Sequence, residues 1–203
     1  MTVEIVSWAL SDLTLAKEFL GITVADYDDL ISRLINQASS FIEKTTDRKL
    51  VARSYDSTDD DDREDTWFDG MGTKNIFLRQ YPINSVSSVT CSGTTISAAS
   101  STDYYGSTGY VIYKRRGILF YDNGWDSGVK NVRVSYNAGY ASGTPELEDL
   151  RELCNSLISH TYNNRKNLGF KMERIGNYQY TRGDVREQWQ SDIISRYRRK
   201  MVA

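Results

Sequence analysis

Few residues in this 203-residue chain have the type and spacing for covalent or acid–base chemistry. His160 is the only histidine. It falls one residue off an apolar helical stripe, and no serine or cysteine nucleophile with a supporting acid is suggested beside it. A structural or surface role therefore outweighs general-base catalysis. Cys91 and Cys154 are far apart and neither belongs to a CxxC pair, so two buried reduced thiols are expected rather than a disulfide or a zinc site. No phosphate-binding loop or dinucleotide fingerprint occurs. The acidic run DDDDREDTWFDG has carboxylates enough for a cation, but Arg63 interrupts it and no glutamate closes it in the EF-hand manner. Mutual repulsion in a solvated loop is the simpler expectation. The reading is of a protein without catalytic residues, cofactor or metal.

Charge is distributed unevenly under a net value of -2. Asp56 to Asp69 holds eight acidic residues and one basic residue, whereas Arg165 to Lys200 holds ten basic and four acidic. A molecule with a negative loop and a positive tail can bind neighbours through unlike surfaces. The tail segment VREQWQSDIISRYRRK also has an apolar helical side of Trp189, Ile193 and Tyr197. Cations beside rings suit nucleic acid. A peptide that meets only phosphates has no need of Trp189, Ile193 and Ile194, so docking into a protein groove accounts for more of the segment. A terminal helix folded back on its own core is a reading of similar weight.

The elements that would position these groups fall into three textures. Leu13 to Leu20 predicts a short helix with Ser11 as cap, Leu13, Ala16, Phe19 and Leu20 as its stripe, and Gly21 as its stop. Behind Asp26 as cap, Leu30, Ile31, Leu34, Ile35, Ala38, Phe41 and Ile42 predict a second helix with a wide apolar face. After Leu50 come short runs rich in β-branched and aromatic residues: NIFLRQYPI, SVSSVTCSG, TTISA, YVIYKR, GILFYDNG and KNVRVSYNAGY. In the last, Val132, Val134 and Tyr136 alternate with Arg133, Ser135 and Asn137, one face for a core and one for water. Seven of fourteen tyrosines lie between Tyr104 and Tyr140. Pro145 then starts a helix with Thr144 as cap, striped by Leu147, Leu150, Leu153, Cys154, Leu157, Ile158 and Tyr162.

The expected fold is α+β: a small helical bundle with an inserted antiparallel β barrel or sandwich and an extended C-terminal arm. Its parts are N-terminal helices over 1–54, the inserted β domain over 55–140, a closing helix over 141–165 packed on the second helix, and the arm over 166–203 with a terminal amphipathic helix. No internal repeat stands out. No apolar run is long enough to cross a bilayer, and MTVEIVSWALSDL lacks the pattern of a secretory signal, which predicts a soluble, intracellular polypeptide.

The order of segments resembles the head-tail connector family of tailed double-stranded DNA phages, also called head completion adaptors. The segments that carry the resemblance are Ala16 to Leu20, Ala38 to Arg48 (ending IEKTTDR), Leu78 to Val89 (LRQYPINSVSSV), Val132 to Tyr140 (VRVSYNAGY) and Tyr162 to Arg165. The resemblance implies a structural virion protein. Its copies would form a homo-oligomeric ring beneath the portal, typically of twelve in the virion, and the free protein is expected to be a monomer. The ring would extend the DNA channel, without sequence-specific binding or membrane contact, and offer a surface to the stopper or tail-completion protein. The place implied is the virion neck, after assembly in the host cytoplasm. The arm would dock on the portal through Arg182, Trp189, Ile193, Ile194, Arg196, Tyr197 and Arg198. Asp59, Asp60, Asp61, Asp62, Glu64 and Asp65 would face a neighbouring subunit or the tail. The alternative is a nucleic-acid-binding phage protein that acts through its basic arm, with a salt-sensitive affinity.

Overall fold

The apolar spacing of the second predicted helix dictates the centre of the helical part. In the computed structural model, which describes residues 2–58, 63–100, 109–165, 172–175, 178–181 and 188–199, helix α2 runs Asp28–Thr46. It buries Ile31, Leu34, Ile35, Ala38 and Ile42. Helix α1 (Leu13–Leu20) and helix α4 (Pro145–Asn164) pack on it, the latter through Leu147, Leu150, Leu153, Cys154 and Ile158. Burial of a Leu or Ile side chain contributes roughly 1.5–3 kcal/mol, so this stripe outweighs any single cap.

The caps differ from the expectation. Asp12, not Ser11, caps α1: its Oδ1 accepts from the Leu15 amide at 2.9 Å. Ser11 is buried and donates instead to Asn155 Oδ1 of α4 at 2.7 Å. A hydroxyl one residue further from the helix is better placed to bridge two helices than to reach the first turn. Asp26 does not cap α2 either. It lies in a 3₁₀ turn, Ala25–Tyr27, and the first turn of α2 carries Asp28 and Asp29 against the helix dipole. Gly21 ends α1 with φ 67°, and Thr144 precedes Pro145 with its carbonyl accepting from Leu147 and Glu148.

Along the chain, the β region follows α2 and precedes α4. A five-stranded antiparallel sheet is organised around β8 (Gly128–Ala138). Strand β4 (Ile83–Cys91) lies along one edge of β8, and β5 (Thr94–Thr95) extends β4. The other edge of β8 is shared by β1 (Arg53–Tyr55) near its end and β2 (Trp67–Gly70) near its start. The four-residue helix α3, Arg63–Thr66, leads into β2. A second sheet has the order β3 (Asn75–Phe77), β7 (Ile118–Tyr121), β6 (Tyr110–Tyr113). Both sheets contribute to one core, with Tyr55, Val89, Val132, Val134 and Tyr136 from the first and Ile76, Tyr110 and Leu119 from the second. The sheets do not close into a barrel. The five-stranded sheet ends in strands of two to four residues, and beyond β5 the chain meets the other sheet at a single parallel bridge, Ala98 to Tyr110, rather than in a ladder.

The entering and leaving chains of this region are stitched together. Tyr140 donates to the Leu50 carbonyl at 2.8 Å, Ala52 donates to the Tyr140 carbonyl at 3.0 Å, and Val51 and Tyr140 form a parallel bridge. Gly139 adopts φ 112°, and a Cβ there would stand 2.7 Å from the backbone of Val51, so only glycine permits this approach. The chain divides into two compact units, Met1–Arg48 with Gly143–Ala203, and Lys49–Ser142.

In the arm, where no periodicity was visible, β9 (Met172–Ile175) pairs antiparallel with β10 (Tyr178–Thr181). The terminal helix α5 covers Gln188–Tyr197.

Candidate assembly surfaces

Helix α5 lies on its own helical unit, against α2 and α4. It buries Gln190, Ile194 and Tyr197, while Trp189 and Ile193 are half-buried, so the inward stripe is turned from the expected one. Polar contacts fix its seat. Arg48 Nη1 donates to the Tyr197 carbonyl at 3.1 Å, and the Arg199 amide donates to the Thr46 carbonyl at 2.8 Å. The Tyr197 hydroxyl donates to Asp149 Oδ2 at 3.2 Å, and Gln190 Nε2 to Ser156 Oγ at 2.9 Å. Arg196 and Arg198 are exposed, and Arg196 lies 3.6 Å from Asp149. Asp59, Asp60, Asp61, Asp62 and Arg182 fall outside the described residues.

Two remaining residues of the acidic group have unlike surroundings. Glu64 is exposed, 3.6 Å from Arg79. Asp65 is buried at the end of α3, where Lys49 Nζ approaches its Oδ2 at 2.8 Å and Gln80 Nε2 donates to its Oδ1 at 3.0 Å. The Tyr136 hydroxyl donates to the Asp65 carbonyl at 2.9 Å. This carboxylate ties α3 to the β core.

Groups with reactive potential lie apart. His160 is exposed on α4. The Cys154 thiol is buried 3.7 Å from Ser39 Oγ, and burial pushes it up to about 11 against a small opposing effect of the Ser39 hydrogen bond. Cys91 is buried in the β core. Among the described residues no three His, Cys, Asp or Glu side chains converge as a metal site, and no helix is long and apolar enough to cross a membrane.

Each unit has an open groove. That on the helical unit, about 210 Å³, is lined by Leu34, Ala38, Phe41, Leu157 and their polar neighbours Gln37 and Thr161. That on the β unit, about 300 Å³, has Trp67, Phe68, Met71 and Phe77 with Arg79 and Lys130 among its lining residues. Met71 is 75% exposed and Val129, next to Lys130, is 84% exposed. Sequence reasoning passed over this groove, because its residues come from β2, β3 and the start of β8 and have no common period.

A profile of the head completion protein family matches residues 9–199. The chain belongs to that family. Its members are structural proteins, and this head completion protein is not an enzyme. No curated protein matches the chain. Among solved structures, its fold is similar to that of a chain described as "Neck of empty GTA particle computed with C6 symmetry". The two are 17% identical, superpose with a TM-score of 0.53, and align over 100% of this chain and 96% of the other.

Proposed function

We propose that this head completion protein is the ring-forming adaptor of a virion neck. Its copies assemble into a homo-oligomeric ring, of twelve in the virion by the earlier resemblance, on the portal at the capsid vertex. The ring prolongs the DNA channel and presents a surface to the stopper or tail-completion protein. The observation that carries this reading is the full-length likeness to a chain of a particle neck, joined to a family match that spans both units. The domain plan is then a helical core, an inserted β domain and a C-terminal arm that docks on the portal.

Placement of α5 refines the arm's part. Ile194 and Tyr197 face the chain's own α2 and α4, so of the described docking residues Arg196, Arg198 and the outer sides of the half-buried Trp189 and Ile193 are the ones open to a partner in this state. Docking through the apolar residues requires α5 to leave its seat. Docking through the arginines does not. Glu64 is open to a neighbour or the tail, whereas Asp65 is committed to Lys49 and Gln80.

Native mass spectrometry of the protein, alone and with portal rings, tests the reading. Uptake of a full set of copies, lost on deletion of residues 166–203, is the expected result. No uptake at any salt concentration overturns it.

A further inference from the structure

The largest exposed apolar side chains are grouped. Phe19, Val24 and Tyr27 belong to the helical unit, and Met71, Phe77, Tyr113 and Val129 to the β unit, where Phe77 and Tyr113 share a register row through Ile118. Exposed apolar patches of this kind mark contact surfaces, whereas single exposed residues need no explanation.

The first group lies where α1 ends and α2 begins. The Lys17–Asp28 ion pair at 2.6 Å holds these two ends together, and Tyr27 packs edge-on against Tyr162 of α4 with ring centroids 6.0 Å apart. Of the second group, Met71 and Phe77 line the 300 Å³ groove of the β unit. A small molecule is a poor occupant for that groove: such ligands are taken into clefts that enclose most of their surface, and here the lining residue Met71 stands out into solvent. A flat apolar surface from another macromolecule covers such side chains.

We infer that the β-unit groove of one copy receives the Phe19–Tyr27 end of the helical unit of a second copy, and that this is the repeating contact of the ring. The inference rests on the ring reading above. A closed ring uses heterologous contacts, with two different patches of each subunit meeting each other. Among the described residues the chain offers two such patches, on different units. Their unpaired charges are opposite. Lys130 at the groove has no ion-pair partner among the described residues, and neither do Glu18 and Asp26 at the helical end. Other charges are already engaged locally: Asp69 accepts from the Lys130 amide, Arg79 faces Glu64, and Arg165 stacks over Tyr162 and Tyr27. The side chains also suit each other, because a methionine sulfur packs well against aromatic rings such as Phe19 and Tyr27.

Cross-linking decides the matter. Full-length Phe77→Cys and Tyr27→Cys proteins, each checked for native circular dichroism, are mixed at high concentration and on portal rings with a short bismaleimide. The two native thiols are buried and do not compete. The expected product is the mixed pair, in excess over either homodimer. Lys130→Glu lowers its yield by about two- to fivefold, and Asp26→Lys added on the other partner restores it. If native mass spectrometry shows rings of wild-type protein but the mixed cross-link is absent, this face pairing is wrong and the ring stands. If Phe77→Cys links mainly to itself, the contact is isologous and the inference fails. A mixed cross-link with no assembly on the portal supports the pairing and removes the ring. Absence of both removes both.

Discussion

At the scale of single residues, Asp65 and Cys154 carry the sharpest expectations. Asp65 belongs by sequence to an acidic loop, yet its carboxylate accepts from Gln80 and pairs with Lys49 inside the β unit. Removing one partner of a buried polar set leaves the others unsatisfied. Asp65→Ala is therefore expected to destabilise the β unit by about 2–4 kcal/mol, and Glu64→Ala by less than about 0.5, in urea unfolding. Equal effects would show that Asp65 is as solvated as its neighbour. Nothing in DDDDREDT distinguishes these two positions, because the partners lie 16 and 15 residues away and only the fold brings them in. For Cys154 the sign runs upward: a thiol raised to about 11 in the fold and near 9 when unfolded ionises first in the unfolded chain. Its contribution is whole below pH 9 and is lost as pH rises through 11, a range worth roughly 1–3 kcal/mol. Alkylation at pH 8 should be negligible in the native protein and rapid in denaturant. Rapid native alkylation would mean that α2 and α4 open readily.

At the scale of elements, legibility followed periodicity. Helix α2 and strand β8 were readable because period 3.6 or period 2 puts one face in the core over many residues. Strands β1 and β2 were not, since three or four residues cannot display a period and their place is set by pairing to β8. The same holds for the hairpin β9–β10 in the arm. The terminal helix was readable as a helix but not in its orientation: Trp189, Ile193 and Tyr197 compete with Gln190, Ile194 and Tyr197 for the inner face, and the packing against α2 and α4 decides. Ile194→Asp puts a charge into that contact. It should raise protease sensitivity of the arm and lower stability of the helical unit by about 2–4 kcal/mol, without unfolding the β unit. If portal uptake then rises, the seat of α5 competes with docking; if it falls, the seated helix is the docking form.

On the scale of the whole molecule, the α+β class, the absence of enzymatic function and the head completion family were legible from the order of segments, while the choice between a closed barrel and a two-sheet sandwich was not. A barrel and two sheets on one core give the same alternation along each strand, and only the pairing of the edge strands separates them. The stitch at Leu50, Val51 and Tyr140 has a further consequence. Because the incoming and outgoing chains are hydrogen-bonded side by side, everything between them behaves as a cassette with its two connectors at one socket. Replacement of residues 52–139 by a flexible linker of about a dozen residues, the length that a parallel pair of chains needs, should leave a helical protein with the circular dichroism of α1, α2 and α4. Such a socket lets a lineage exchange the intervening module, or trim it, without redesigning the scaffold that holds it.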